Sequence, residues 1–197
     1  MNLDLNQLVK WRREFHRFPE IGWSEFWTTS RIADYLEDLG CFEIFLGKQI
    51  INPDFVRGRK QAVVDKGLAN AKAYGANEKW LEKMEGYTGC VALFDSGKPG
   101  KTIALRFDID CVNVTETRSS EHIPNKEGFA SINDGFMHAC GHDSHITIGL
   151  GVALWIAQNK DKLTGKVKIV FQPAEEGVRG AAAIAQSGII DDADYFA

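Results

Sequence analysis

The sequence predicts an α/β fold in which helices flank a mixed, mostly parallel β-sheet. Stretches with helical apolar spacing alternate along the chain with short apolar runs that end in Gly, Pro, Asn or Asp, a pattern typical of strand–helix–strand units. The chain has 197 residues, of which 44% are hydrophobic and 25% charged. This length and composition are sufficient for one sizeable core.

The amino-terminal part predicts two helices followed by a strand. Apolar residues recur at helical spacing over residues 3–18, and Pro19 ends this first helix. Ser24 is expected to cap the second helix, and Gly40 to terminate it. The apolar run 41–46 then predicts the first strand.

A polar segment at 48–86 separates this unit from the next strands. Helix formers are concentrated at 60–73 and 78–85, and we interpret the segment as an inserted helical element. Two strands, at 89–94 and 101–107, are expected to follow, joined by a turn rich in Gly and Pro.

The remaining elements follow in the same alternation. Residues 115–136 are loop-like, and a helix should begin at position 143 or 144 and run to about 158. A strand is expected at 166–171 and a short Ala-rich helix at 178–186. The last residues, from 193 onward, predict the opening of another strand.

Composition argues against several classes of partner. The net charge is −4 with no Lys/Arg block, so nucleic acid is not expected. The apolar run 146–157 is too short and too Gly-rich to span a membrane. The first residues do not resemble a signal peptide. Four scattered cysteines form no C-x-x-C pair, which favours a reducing, cytoplasmic location.

Three polar clusters follow predicted elements, and the first is the pair Asp108 and Asp110 at the end of an apolar strand. In an extended chain alternate side chains lie on one side, so both carboxylates are expected to face the same way. Sites in open α/β sheets form at such strand ends. For this pair alone, a solvated strand end remains the simpler interpretation.

The second cluster occupies residues 138–145, which contain three His, one Cys and one Asp. On an extended backbone His138, Cys140 and His142 would point the same way, and thiolate and imidazole both suit Zn²⁺ and related ions. Gly141 would let the backbone approach a bound ion. The alternative is a structural His/Cys loop.

The third cluster is the adjacent pair Glu175 and Glu176, directly after the strand at 166–171. Pro173 prevents the strand from continuing, and Gly177 permits a tight turn. Two adjacent carboxylates are compatible if one binds a metal and the other transfers protons. A charged helix N-terminus is the alternative.

The segments 104–110, 137–143 and 172–177 resemble the aminoacylase/carboxypeptidase amidohydrolases. This family includes the hippurate hydrolases, the plant auxin-conjugate hydrolases and the p-aminobenzoyl-glutamate hydrolases. The segment 8–22 is similar to the family's first helix. The polar segment 48–86 and Arg179 are most similar to the A-subunit branch of the p-aminobenzoyl-glutamate hydrolases.

The resemblance implies metal-dependent hydrolysis of the amide bond of an N-acyl amino acid, in a zinc-exopeptidase-like catalytic domain with two divalent ions, Zn or Mn. It implies that Cys140, His142 and Glu176 bind metal. Glu175 would be the general base that activates the attacking water, and Asp110 would orient or tune the site. The expected supporting residues, which would not bind metal themselves, are Asp108, His138 and Asp143. Arg179 is a candidate partner for a substrate carboxylate.

The family's chain is roughly twice as long, so residues 1–197 would be the N-terminal part of the catalytic domain. A lid or dimerisation domain, the C-terminal part and two further ligand His residues are expected outside this sequence. Homo- or hetero-oligomers are compatible with the resemblance. Two alternatives stay open: a catalytically incompetent fragment that retains the fold and partial metal binding, and a cysteine hydrolase with Cys140 as nucleophile and His142 or His138 as base.

Overall fold

The computed structural model describes residues 4–197; residues 1–3, including position 3 where the first helix is predicted to begin, lie outside the described part. In chain order the α-helices are α1 (Leu5–Arg17), α2 (Phe26–Leu39), α3 (Gln61–Ala73), α4 (Glu78–Lys83), α5 (Ile123–Lys126), α6 (His142–Asn159) and α7 (Ala181–Ala185). The strands are β1 (Glu43–Leu46), β2 (Cys90–Asp95), β3 (Thr102–Asp108), β4 (Lys166–Gln172) and β5 (Tyr195–Phe196).

The five strands form one mixed sheet in the order β1-β2-β4-β3-β5. Strand β3 is parallel to both β4 and β5, whereas β2 is antiparallel to β1 and β4. Helices flank this sheet, so the predicted fold class is confirmed. Although a short turn joins β2 to β3, β4 lies between them.

Insertion of β4 between β2 and β3 determines which chain segments meet at one edge of the sheet. Asp108 at the end of β3 pairs with Gln172 at the end of β4, and Cys90 at the start of β2 pairs with Phe171. The segments that follow β3 and β4 and the segment that precedes β2 therefore emerge side by side. Two of the three predicted polar clusters leave the sheet at this edge.

Each face of the sheet is covered by its own apolar cluster. On one face α1 packs against α6, and α2 and α6 pack against the strands, covering Ala92, Ile169 and Phe171. On the other face Val91 and Val170 contact a smaller cluster that includes residues of α7. This division follows from the alternation of side chains along each strand. Within residues 4–197 no helix has both the length and the apolar character needed to cross a bilayer.

The start of α2 differs from the prediction. Ser24 does not cap the helix, because its Oγ donates a hydrogen bond to the carbonyl of Ile21 at 2.7 Å. The buried carboxylate of Glu20 accepts the N–H groups of Trp27 and Thr28 instead, at 3.1 and 2.8 Å. A carboxylate six positions before the first helical residue thus satisfies amides that lack intrahelical partners. Gly40 ends α2 in the left-handed conformation, as predicted.

The polar segment 48–86 contains α3, α4 and two short 3-10 helices. Helix α3 packs closely on the start of α2: a Cβ on Gly67 would lie 2.6 Å from Ser24 Cβ. The indole of Trp80 in α4 is buried and donates a hydrogen bond to Asp34 at 2.9 Å. The segment is therefore part of the packed structure, and its origin as an insertion stays a prediction.

Candidate metal and catalytic site

Three candidate ligand side chains converge where β3 and β4 end. His142 is the first residue of α6, and its Nε2 lies 3.8 Å from Glu175 Oε2 and 3.9 Å from Glu176 Oε1. Ligand atoms of these three residues lie within 4.8 Å of one another. An imidazole nitrogen and two carboxylates at this spacing suit a divalent cation.

Asp110 positions these three residues through hydrogen bonds. Its side chain is wholly buried, and its two carboxylate oxygens accept the backbone N–H groups of Glu175 and Glu176, each at 3.0 Å. Its carbonyl oxygen lies 2.8 Å from His142 Nδ1. A carbonyl can only accept, so Nδ1 carries the proton and Nε2 is the nitrogen available to a metal.

The backbone around Cys140 does not have the predicted extended conformation. Residues 139–140 form a turn, Gly141 has φ +85°, and His142 is already helical. The prediction that His138, Cys140 and His142 alternate along an extended chain is therefore wrong. Cys140 is exposed and lies beside Glu176. It does not belong to the group of close ligand atoms formed by His142, Glu175 and Glu176.

His138 lies inside the protein. It is buried, and among the described residues 4–197 neither ring nitrogen finds a hydrogen-bond partner. Burial lowers its pKa to about 4, so the ring is neutral at physiological pH. Its predicted role in supporting the ligands stays a prediction.

The carboxylates of the site raise the pKa values of Cys140 and His142, so both side chains keep their protons. Glu176 raises the pKa of Cys140 to about 11. Burial lowers the pKa of His142, but its hydrogen bonds to the side chain and carbonyl of Asp110 raise it by more, to about 9. A divalent cation among these groups would reverse both effects, because it favours thiolate and neutral imidazole.

A second group of possible ligands adjoins the first. Asp108 is buried, and its Oδ2 lies 3.2 Å from His145 Nδ1 and 3.4 Å from Arg106 Nη2. The rings of His142 and His145 are 5.0 Å apart. Sequence reasoning assigned no role to His145, although its i, i+3 spacing from His142 puts both on one helix face.

Asp143 turns away from the carboxylates toward α1. It is fully buried, with Oδ2 lying 2.7 Å from His16 Nδ1 and 3.0 Å from Arg12 Nε. The other ring nitrogen of His16 lies 3.0 Å from Glu116, which also accepts from His122 Nε2. Asp143 therefore anchors the start of α6, and with it His142, to α1.

This buried network predicts a pH-dependent contribution of His16 to stability. Burial lowers the pKa of His16, but hydrogen bonds to Asp143 and Glu116 raise it by more, above its ordinary 6.5, despite the nearby Arg12. A raised pKa contributes stability that is complete below pH 6.5 and is lost as pH rises through the folded-state pKa.

We therefore expect His16→Gln to cost most free energy of unfolding at about pH 6, where both partner carboxylates remain ionised because their pKa values are lowered. The cost should shrink toward pH 9. Urea unfolding of both proteins across this range measures it, and a pH-independent difference would contradict the argument. His122→Gln, whose ring also meets Glu116 but is less buried, is the matched control.

Arg179 is tied to the glutamate turn. Its Nε donates to the carbonyl of Glu176 at 2.9 Å. Its side chain crosses two glycines: a Cβ on Gly22 would lie 2.6 Å from Nη2, and one on Gly58 would lie 2.8 Å from Cδ. Whether it also meets a substrate carboxylate stays a prediction.

The carboxyl-terminal part of the chain, residues 104–197, matches the model of peptidase family M20/M25/M40. The chain belongs to this family. All three clusters, from Asp108 to Glu176, fall within the matched residues. The M20 match thus covers the part of the chain that carries β3, α6 and β4.

Individual M20 relatives extend the likeness over the whole chain. A relative from Haemophilus influenzae, named as a homolog of the A subunit of p-aminobenzoyl-glutamate hydrolase, is 98% identical over 197 residues, which are 47% of its own length. An indole-3-acetyl-aspartic acid hydrolase of Enterobacter agglomerans is 45% identical over 98% of the chain and 44% of that protein. The chain thus spans about half the length of the curated relatives it matches.

A solved M20 structure shows the same fold. It is a dinuclear metal-binding peptidase from Bacillus subtilis, 28% identical, with a TM-score of 0.70 over 97% of this chain and 41% of that one. The residues of our chain fit such a group: within residues 4–197, the buried Glu176 Oε1 and Asp108 Oδ1 have no hydrogen-bond partner. Buried carboxylate oxygens without partners are costly unless a cation satisfies them.

Proposed function

We propose that the protein containing this chain hydrolyses the amide bond of N-acyl amino acids and holds two divalent ions, Zn or Mn, partly through Cys140, His142 and Glu176. One observation supports this most strongly: His142 Nε2, Glu175 and Glu176 face one another above the buried Asp110. When bound, the ions would polarise the scissile carbonyl and acidify water.

In this proposal Glu175 is the general base. Its side chain is 36% exposed, whereas the Glu176 side chain is 25% exposed, so Glu175 is the more accessible of the pair. Its carboxylate would accept the proton of the attacking water and pass it to the leaving nitrogen. Asp110 would keep both glutamates aimed at the same point through their amides.

Asp108 is proposed to support a ligand supplied after β5. Strand β5 runs parallel to β3, and Arg106 N–H donates to the Ala197 carbonyl at 2.7 Å. A strand continuing in this register would pass the unpartnered Asp108 Oδ1. The family resemblance implies a ligand His shortly beyond this strand, and a carboxylate is a common partner for the second nitrogen of a ligand His.

For the substrate we propose an N-acyl derivative of an acidic amino acid. The two relatives above are named for p-aminobenzoyl-glutamate and indole-3-acetyl-aspartic acid. Both carry an aromatic acyl group on an amino acid with an extra carboxylate. Arg179, beside the glutamate turn, is the proposed cationic partner of that carboxylate.

Replacement of Arg179 by Ala in the full-length protein should therefore raise KM for acyl-glutamates more than for acyl-alanines. Arg179 also holds the Glu176 carbonyl, so kcat is expected to fall for both substrates, and the ratio of the KM changes isolates the carboxylate contact. Equal KM changes would remove Arg179 from substrate binding. Arg118→Ala, at an exposed site, is the control.

We also propose where the protein is located and how it assembles. The scattered cysteines, which form no C-x-x-C pair, favour a reducing, cytoplasmic location. The name of the Haemophilus influenzae relative describes one subunit of an enzyme, so we propose that the whole protein works with a second, different polypeptide. Hetero-oligomers are therefore preferred to homo-oligomers.

Elemental analysis of the purified chain, with and without Cys140→Ser, tests the proposal. Stoichiometric Zn or Mn that falls in the variant supports it, and a metal-free wild-type chain favours an incompetent fragment. Loss of amidase activity of the full-length protein in chelator separates the metalloenzyme from a cysteine hydrolase. The cysteine mechanism is disfavoured because nucleophilic cysteines need a lowered pKa, and that of Cys140 is raised to about 11.

A further inference from the structure

Glu25, the residue before α2, reaches the segment that carries Glu175 and Glu176 from the far end of the sequence. Its side chain is wholly buried. One carboxylate oxygen accepts the backbone N–H of Ala174 at 2.8 Å, and the other accepts the Thr88 hydroxyl at 2.6 Å. Glu25 thus joins the residue after β4 to the segment that precedes β2.

Together, Glu25 and Asp110 bind three consecutive amides. The N–H of Ala174 donates to Glu25, and those of Glu175 and Glu176 donate to Asp110. Ala174 has φ +51°, a left-handed conformation that a residue with a Cβ rarely adopts. The backbone at Ala174 therefore depends on contacts from outside the turn to hold its shape.

On the side that faces β2, close packing restricts the conformations that the turn can adopt. A Cβ on Gly89 would lie 2.5 Å from Pro173 Cδ, so the segment before β2 fits closely against the start of the turn. Gly89 N–H donates to the Thr29 hydroxyl in α2 at 2.9 Å. The start of α2 is therefore joined to both segments by Glu25 and Thr29.

We propose that Glu25 is a positioning residue that sets the aim of the Glu175 and Glu176 carboxylates through the Ala174 amide. This inference rests on the proposed function, because that function is what makes the orientation of the two carboxylates important. Glu25 has no exposed surface, so it acts only through the turn and touches no substrate.

The positioning role of Glu25 depends on the geometry of its hydrogen bonds and not on its charge. In Glu25→Gln the amide oxygen can still accept from Ala174, and the amide NH₂ can donate to Thr88, because a hydroxyl also accepts. Glu25→Asp keeps the carboxyl group but is one methylene shorter, so it cannot reach both partners. Glu25→Ala removes both bonds.

Glu20 supplies a matched control. It is also a buried glutamate, and it also accepts two hydrogen bonds, from Trp27 and Thr28. Those amides belong to α2 and not to the turn. Glu20→Ala should therefore destabilise the fold without changing the aim of Glu175 and Glu176.

The experiment combines three measurements on the chain and its variants: the melting temperature, the exchange rates of the amides at 174–176, and Co²⁺ affinity from the thiolate–cobalt absorption. We expect Glu25→Ala and Glu25→Asp to speed exchange of the Ala174 amide at least tenfold and to weaken Co²⁺ binding by about tenfold. Glu25→Gln should stay within twofold of wild type. Glu20→Ala should lower the melting temperature and leave both other quantities unchanged.

Slow Ala174 exchange in folded Glu25→Ala or Glu25→Asp would overturn the proposal, as would equal changes in Glu20→Ala. A variant pattern in which Asp preserves the site and Gln does not would also overturn it, because the carboxyl group, and not its reach, would then be decisive. If Glu25→Ala does not fold, the Asp and Gln variants carry the test. Failure of the full-length wild-type protein to bind Co²⁺ would refute the proposed function instead, and amide exchange would still decide the role of Glu25.

Discussion

Glu175→Gln in the full-length protein should lower kcat by about 10²–10⁴-fold, the usual contribution of a general base. Glutamine has nearly the same shape but cannot accept a proton from water. The backbone N–H of residue 175 would still donate to Asp110, so the turn and the metal content should be unchanged. Steady-state kinetics on an acyl-glutamate and metal analysis of the same samples measure both.

The matched control is Glu121→Gln, an exposed glutamate in the segment before α5, which should be active. A Glu175→Gln protein that keeps more than a tenth of wild-type kcat would show that Glu175 is not the base. A protein that loses its metal together with its activity would instead assign Glu175 to metal binding. The second outcome is distinguishable because Glu176 is the proposed ligand of the pair.

Asp110→Asn should be the most damaging isosteric change in the site. Both carboxylate oxygens of Asp110 accept backbone N–H groups, so the NH₂ of Asn would face an amide donor in either orientation. One buried N–H would lose its acceptor, which costs about 1–3 kcal/mol. Metal affinity should fall by about 10–100-fold, because the turn and the partner of His142 are both disturbed.

Urea unfolding and Co²⁺ titration of the chain measure these two effects. Asp161→Asn, in an exposed segment, is the control, and it should change neither quantity. Wild-type stability and affinity in Asp110→Asn would contradict the assigned hydrogen bonds. The contrast with Glu25→Gln is informative, because Thr88 can reverse its hydrogen bond whereas a backbone amide cannot.

The order of the elements and the three polar clusters could be predicted because both depend on local properties. Side-chain periodicity distinguishes helices from strands, and the types of residue in each cluster indicate metal ligands. The geometry of the second cluster could not be predicted in the same way. Gly141 adopts a left-handed turn just before α6, so His138 lies in the core while Cys140 and His142 face the glutamates.

The sequence by itself determined the α/β class, the family and the candidate set of Cys140, His142, Glu175 and Glu176, because strand and helix patterns and ligand chemistry are written in neighbouring residues. Only the tertiary structure decided how those residues are held. Asp110 and Glu25 bind consecutive amides of one turn because β4 lies between β2 and β3. That pairing joins segments up to 149 positions apart, and no local pattern encodes which distant carboxylate an amide will find.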